Sequence, residues 1–182
     1  TSKQTAVSTK PEPEIQLPLA AEIEKSVLGF LLKSSIHEKE GEEGKIFDRA
    51  IEQGLKPDFF FLPSHKTIFA ALLDCKQQGL AIQPVTVQDR LRVHHKLEAV
   101  GGVVYLTQLM EDGAPSPTML GGLIDQLKTV EYKRQTLKNA SKLMKLANNG
   151  ASLTDIQEVI DSFESTNITS FSYAATPTGL VY

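Results

Sequence analysis

The chain has 182 residues, 41% hydrophobic and 23% charged, which is enough for one globular core. Its net charge of -3 is opposite in sign to the basic excess of dedicated nucleic-acid-binding proteins. The single cysteine, Cys75, excludes an intramolecular disulfide and a multi-cysteine zinc site, and no apolar run approaches the roughly 20 residues of a membrane span. We therefore expect a cytoplasmic protein with no membrane partner.

The first segment, residues 1–17, combines prolines and hydroxyl residues with few large apolar groups, which predicts a disordered arm. From Leu19, apolar side chains at helical spacing predict an amphipathic helix that ends near Lys33 and places Val27 in the core. Gly29 inside this helix costs about 1 kcal/mol relative to alanine. Its position predicts that another helix approaches closely there.

The charged loop that follows contains two glycines separated only by Glu42 and Glu43. A phosphate-binding loop needs four residues between its glycines and a hydroxyl after its lysine, so no ATP site is predicted. A short helix from Lys45 to Gln53 comes next, and Gly54 ends it.

The stretch from Asp58 to Gly79 holds the densest aromatic run, and we expect the rest of the chain to pack around it. Pro63 suits a first helical turn, and the following pattern predicts a helix over 64–78. Phe59–Phe61 are interpreted as core rather than as a ligand-stacking platform, and Cys75 as a small buried hydrophobe. The predicted core residues here are Phe59, Phe60, Ile68, Phe69 and Leu72.

Thr86 can cap a further helix after an extended link at Pro84. His94 and His95 near the end of that helix have no partner ligands at suitable spacing, so we expect solvated histidines and no metal site. A short helix over 103–110 adds Tyr105 and Leu106 to the predicted core. A proline-rich turn then separates a globular head, residues 18–113, from a helical hairpin, residues 114–164.

The hairpin begins with a proline-free segment, 118–148, that predicts a helix about 45 Å long. Asn148–Gly150 stop it, and Ser152 caps a second helix. The two apolar stripes are wider than two helices can cover, which predicts a dimer through the hairpin. The predicted interface residues are Leu120, Leu127, Val130, Leu137, Met144, Ile156 and Ile160.

Charges divide between the two hairpin helices, because lysines surround the first stripe and acidic residues recur every three positions on the second. The two sets either face each other or form two solvated faces, and the pattern favours neither. Residues 165–182 lose periodicity and are predicted to be a flexible linker. The chain begins at Thr1 rather than at methionine, which is typical of a processed protein or a fragment.

Five stretches in order give the chain a resemblance to the N-terminal domain of DnaB-type replicative DNA helicases of bacteria, phages and plastids. The stretches are AAEIEKSVLGFLL (20–32), DFF with His65 and Ile68-Phe69, Val85-Thr86, LEAVGGVVYLTQL (97–109) and APSPTML (114–120), and Thr176–Leu180 resembles the turn that leads to the ATPase domain. The chain departs from the family pattern at Gln83-Pro84 and in the short segment after Phe163, where the family usually has a linker helix.

The resemblance implies an all-α head with a helical hairpin and no catalytic activity of its own. It also implies that ATP and magnesium belong to the following domain of a parent helicase, with no cofactor in this chain. In that family the hairpins dimerise, three dimers form a collar on the hexameric ring, and the collar engages primase and helicase loader in the primosome. The plastid is a second expected compartment.

Three functions follow from the sequence. The first is a non-catalytic collar domain of a replicative helicase, with no direct contact to nucleic acid. The second is a free-standing relative, from a phage or its host, that binds and modulates a helicase or loader. The third is a small helical DNA-binding protein that uses the basic helix, which the acidic total and the lack of interleaved aromatics count against.

Overall fold

A computed structural model describes residues 20–38, 44–114 and 116–170, apart from the side chains of 35–37 and 163–170. Within these ranges the fold is all-α, as predicted. The predicted arm at 1–17 and the turn at Thr176–Leu180 lie outside the described residues. The helices are α1 (Ala21–His37), α2 (Lys45–Glu52), α3 (Pro63–Gln77), α4 (Pro84–Val93), α5 (Gly102–Asp112), α6 (Pro117–Asn148) and α7 (Leu153–Ser170), with 3-10 turns at Pro57–Phe59 and Glu98–Val100.

Proline marks the first position of α3, α4 and α6, where a missing backbone N–H costs nothing. The predicted start of α3 was one residue late. The predicted cap at Thr86 was wrong, because Pro84 already occupies the first turn of α4 and Gln83 is the residue before it. Helix α7 continues to Ser170, beyond the expected start of the linker at 165, since no glycine or proline interrupts it.

The chain divides into two compact units, and the division falls within α6. The head unit, Pro18–Arg134, contains α1–α5 and the first half of α6, and the hairpin unit contains the rest of α6 from Gln135 and α7. The expected head ended at 113. The head unit is longer because Leu120, Ile124 and Leu127 of α6 lie in the same core as α1 and α3.

Helix α1 is the most enclosed element of the head unit. Its residues 27, 28 and 30–32 are all buried, so no side of this segment faces water, and it packs against α2, α3, α4 and α5. The expected centre, α3, packs against α1, α4 and both 3-10 turns. Its Phe69 contacts Phe47 and Phe60 at ring distances of 5.9 and 4.9 Å.

The three phenylalanines before α3 differ in burial. Phe60 is fully buried, Phe59 is partly buried against the core, and Phe61 is 38% exposed. The interpretation of all three as core is therefore wrong for Phe61. The remaining predicted core residues are buried, except that Tyr105 is half-buried: Val27, Ile68, Phe69, Leu72 and Leu106. Cys75 is also buried, and burial raises the pKa of its thiol.

Helices α1 and α5 touch backbone to backbone at two glycines. A Cβ added at Gly29 would lie 1.6 Å from the carbonyl oxygen of Leu109, and one added at Gly113 would lie 2.5 Å from the carbonyl carbon of Gly29. The close approach predicted from Gly29 is present. Nearby, the amide of Ala114 donates to the carbonyl of Ser26 at 3.0 Å, which binds the end of α5 to α1.

No described helix combines the length and the apolar character required to cross a membrane.

We expect Gly29→Ala to lower the free energy of unfolding by about 3 kcal/mol or more, because the methyl group would overlap the backbone of α5. Gly122→Ala is the matched control, since nothing lies within 4 Å of that Cβ position in α6. It should raise the free energy of unfolding by roughly 0.5–1 kcal/mol. Urea denaturation measures both changes. Equal midpoints for Gly29→Ala and wild type would contradict the close contact.

Candidate functional site: a buried ion network and a charged helical hairpin

Four polar or charged side chains are buried in the head unit, and three of them, all but Ser34, form a group that the sequence patterns had not identified. Glu24 lies on α1, His65 on α3 and Arg134 on α6, and all three are at most 1% exposed. Together with Tyr105 and Glu131 they form a set of contacts that we call the Glu24 network. It joins α1, α3, α5 and α6.

Glu24 accepts hydrogen bonds at the start of α3. One carboxylate oxygen accepts from the amide of Phe61 at 2.8 Å, and the other from Nδ1 of His65 at 2.7 Å and from the amide of Leu62 at 3.4 Å. The residue before α3, Leu62, has no capping side chain, so a carboxylate from α1 supplies the negative charge that a helix N-terminus favours. Glu38 does the same for α2 by accepting from the amides of Gly44 and Ile46.

His65 continues the network toward α5. Its Nε2 shares a hydrogen bond of 2.7 Å with the hydroxyl of Tyr105. The Glu24–His65–Tyr105 order resembles a catalytic chain, but burial raises the pKa of Tyr105, which opposes formation of a nucleophilic phenolate. We therefore interpret these contacts as structural.

Arg134 brings α6 into the network. Its Nη2 donates to the carbonyl of Phe59 at 2.7 Å, its Nε donates to Glu131 at 2.8 Å, and its Nη1 lies 3.7 Å from Glu24. The guanidinium also lies over the ring of Phe61, 5.3 Å from its centre. These contacts explain why Phe61 remains near the surface beside α6 instead of entering the core.

The pKa of Glu24 reflects opposing influences. Burial alone raises it, but the hydrogen bonds from His65 and from the amides of Phe61 and Leu62 lower it, and the net result is a pKa below the ordinary carboxyl value. Glu24 therefore stabilises the fold as a carboxylate.

The turn of the hairpin unit follows its sequence signals. Gly150 has a positive φ of 66°, and the amide of Ala151 donates to the carbonyl of Leu146, which closes α6. Ser152 begins α7 as predicted: Asp155 accepts from its amide and hydroxyl, and the amide of Asp155 donates back to the hydroxyl.

The seven predicted interface residues lie in two different settings. Leu120 and Leu127 are buried in the core of the head unit and Val130 packs against that core, so the folded chain itself covers these three. A hydrophobic stripe in a sequence predicts that a helix face is covered but does not identify the covering surface. For these three residues the covering surface is the core of the head unit. In the hairpin unit, Leu137 and Ile156 are half-buried, and Met144 and Ile160 are 49% and 37% exposed.

Opposite charges lie on the two helices of the hairpin unit. Residues 135–148 of α6 include three basic and no acidic residues, whereas α7 includes four acidic and no basic residues. Among the side chains that the structure describes, Lys138, Lys142 and Lys145 form no ion pair with α7. Within one chain, these three lysines and the described carboxylates of α7 therefore do not pair with each other.

The two histidines at the end of α4 are not metal ligands in any described cluster. His94 lies 3.3 Å from Asp74, which also binds Arg90 at 2.6 Å, and these contacts, with Arg90 first, lower the pKa of Asp74. His95 is exposed with a positive φ of 55°.

These features define the class of protein: an all-α head followed by a helical hairpin, with no cluster of possible metal ligands among the described residues. Residues 16–129 match the family described as DnaB-like helicase N terminal domain. This match covers more than half of the chain, so the chain belongs to that family, as the sequence stretches had indicated.

Curated relatives agree with the family. The chain is 27% identical over 163 residues to the replicative DNA helicase DnaB of Buchnera aphidicola subsp. Baizongia pistaciae, a match that covers 90% of this chain and 33% of that protein. It is 32% identical over 111 residues to DnaB of Pasteurella multocida, covering 60% of this chain and 22% of that protein. The chain thus spans a third or less of the length of these relatives.

Solved structures have the same fold. The N-terminal domain of DnaB helicase from Mycobacterium tuberculosis matches with a TM-score of 0.67 and 26% identity, over 85% of this chain and 99% of that one. A DnaB-like replicative helicase, described with its interactions with primase, matches with a TM-score of 0.61 over 79% of this chain and 30% of that one. At 21% identity, this match supports only a common fold.

Arg134→Met should lower the free energy of unfolding by about 3 kcal/mol, because Glu24 and the carbonyl of Phe59 lose a buried cationic partner. Lys133→Met, at the exposed neighbouring position, is the control and should change stability little. Guanidinium denaturation of the three proteins provides the comparison. A variant as stable as wild type would show that the network contributes no net stability.

Glu24 should also make stability depend on pH. Because its folded pKa is depressed, its contribution is full above the ordinary pKa of 4.5 and is lost as the pH falls through the lower folded value. The difference in unfolding free energy between wild type and Glu24→Gln should therefore shrink below about pH 4.5. Urea titrations from pH 7 to pH 3 measure it, and a constant difference would contradict the depressed pKa.

Proposed function

We propose that this chain is a non-catalytic assembly domain of a hexameric replicative DNA helicase. In this proposal the domain self-associates through the hairpin unit and docks a primase or helicase loader during DNA replication, in a bacterial cytoplasm or a plastid. ATP, magnesium and the helicase activity belong to another part of the parent polypeptide. Family membership over residues 16–129 is the observation that supports the proposal most strongly.

The burial pattern of the hairpin unit supports self-association. Val159 is buried and Ile156 half-buried, while Met144 and Ile160 remain substantially exposed. Removal of apolar surface from water contributes about 25 cal/mol per Å², so a second copy placed on these side chains would be stabilised by burying them. A two-fold contact between identical surfaces is the commonest way to achieve this. Three such dimers would form the proposed collar.

The proposed docking of primase has a weaker basis. A structural neighbour is described together with its interactions with primase, but at 21% identity it supports a common fold and not a common partner. What favours docking in this chain is that the exposed hydrophobic side chains are not confined to the hairpin. Val103 and Val104 of α5 are 45% and 69% exposed on the head unit.

Met144→Asp together with Ile160→Asp should convert a self-associating wild type into a folded monomer, because the two carboxylates would enter the desolvated contact. Met144 and Ile160 are preferable to Leu137 and Ile156 as sites for this substitution. Leu137 and Ile156 are half-buried within the single chain, so charges there would also destabilise its fold. Sedimentation equilibrium measures the mass, and circular dichroism checks the helices.

The matched control is Val85→Asp with Val93→Asp, two exposed apolar residues of α4 on the head unit, which should associate like wild type. A wild type that stays monomeric well above micromolar concentration would contradict self-association. A free-standing modulator of a helicase or loader would then be the better function.

A further inference from the structure

A shallow groove of about 340 Å³ lies along the C-terminal half of α6. It is lined by Lys138, Ser141, Lys142, Lys145, Leu146 and Asn149. The three lysines span seven residues, or about 10 Å of one helix face. All three are exposed, and none has an ion-pair partner among the described residues. The groove therefore holds a concentrated positive charge in a chain whose net charge is -3.

Two carboxylates that could pair with these lysines lie on α7. Asp155 already closes the cap with Ser152, but Glu158 is exposed and has no described partner. Asp161 is exposed and uses one oxygen to accept from Gln157 at 2.8 Å, which leaves its second oxygen available. Glu158 and Asp161 are thus the described carboxylates of α7 that remain able to pair.

We propose that Lys142 and Lys145 of one copy form ion pairs with Glu158 and Asp161 of a second copy. This inference rests on the proposed self-association and specifies its charged contact. Each pair of residues is separated by three positions, a rise of about 4.5 Å on either helix, so two helices side by side can satisfy both ion pairs at once. Lys138 lies one turn further along and enlarges the same positive field.

A second copy fits the groove better than the chain's own α7. The lysines and carboxylates belong to the same compact unit, yet they leave each other unpaired while remaining exposed. In a two-fold dimer each contact occurs twice, giving four ion pairs in which Lys142, Lys145, Glu158 and Asp161 of both copies have partners. Exposed single pairs contribute little, but a network of four next to Met144 and Ile160 sets the register of the apolar contact.

A nucleic acid fits the groove less well. Its lining contains no aromatic side chain on which a base could stack, and Leu146 is its one apolar member among the described residues. An acidic helix with apolar neighbours matches both the ammonium groups and Leu146. Helix α7, with no basic residue and with Ile160 beside the carboxylates, has this chemistry.

The test uses two charge-reversed versions of the full chain. The acidic version carries Lys142→Glu and Lys145→Glu, and the basic version carries Glu158→Lys and Asp161→Lys. Each alone should self-associate about tenfold or more weakly than wild type, because four attractive pairs become repulsive. An equimolar mixture should recover association, since every reversed lysine then meets a reversed carboxylate on the other chain. Sedimentation velocity with one version fluorescently labelled measures the mixed dimer.

The control carries Lys66→Glu and Lys96→Glu, which change the net charge equally at exposed lysines of the head unit and should associate like wild type. Circular dichroism establishes that every version is folded. Wild-type association should also weaken as salt rises from 50 to 500 mM, roughly as expected for screened surface charges.

Three results would overturn the inference. Both reversed versions could associate like wild type. The equimolar mixture could fail to associate while a single chain that carries all four substitutions recovers association. That result would place the ion pairs within one chain. The acidic version could associate normally but fail to bind a bacterial primase or single-stranded DNA that the wild type binds. That result would assign the groove to the primase or to the DNA. A monomeric wild type would instead contradict the proposed self-association itself.

Discussion

Two opposite charges, those of Glu24 and Arg134, lie inside the head unit, where burial without partners would cost several kcal/mol for each. Each charged group has at least one hydrogen-bond partner on a different element. Glu24 depends on the start of α3, and Arg134 depends on the carbonyl of Phe59 and on Glu131. The arrangement of α1, α3 and α6 is therefore specified by hydrogen-bond geometry, whereas apolar packing alone tolerates alternative arrangements.

The network also explains where the head unit ends. Arg134 is its last residue, and the next residue of α6 belongs to the hairpin unit. Up to that point α6 has a seam of Leu120, Ile124 and Leu127 that the core covers. Beyond it the exposed side chains include Lys138, Lys142, Lys145 and Met144. One continuous helix thus contributes its first half to the core of the head unit, and the proposed self-association uses its second half.

The helices could be predicted from sequence because proline, glycine and 3.6-residue periodicity act locally. The Glu24 network was missed because apolar periodicity assigns only apolar residues to the core and every charged residue to the surface. A signal was present: Ala20, Glu24, Val27 and Leu31 alternate spacings of four and three, and Arg134 continues the spacing of Leu120, Ile124 and Leu127. A charge on a core seam indicates a buried partner, but its identity requires the tertiary structure.

The predicted hairpin interface includes both residues that the head covers and residues that remain exposed, for a related reason. Leu120, Leu127 and Met144 have similar hydrophobicity and lie on one helix, so sequence alone could not separate those that the head covers from the one that remains exposed. Composition was more informative about charge. The separation of basic and acidic residues between α6 and α7 is visible in the sequence, although only the structure shows that the described lysines and carboxylates remain unpaired.

The contact between Gly29 and Gly113 has a consequence for how this family can change over time. At most core positions a larger residue can be accommodated when a neighbour becomes smaller, so pairs of substitutions exchange volume. Here each glycine faces the backbone of the other, and backbone atoms cannot be reduced by any substitution. No compensating replacement exists at this crossing, and relatives that keep the α1–α5 packing are expected to keep both glycines.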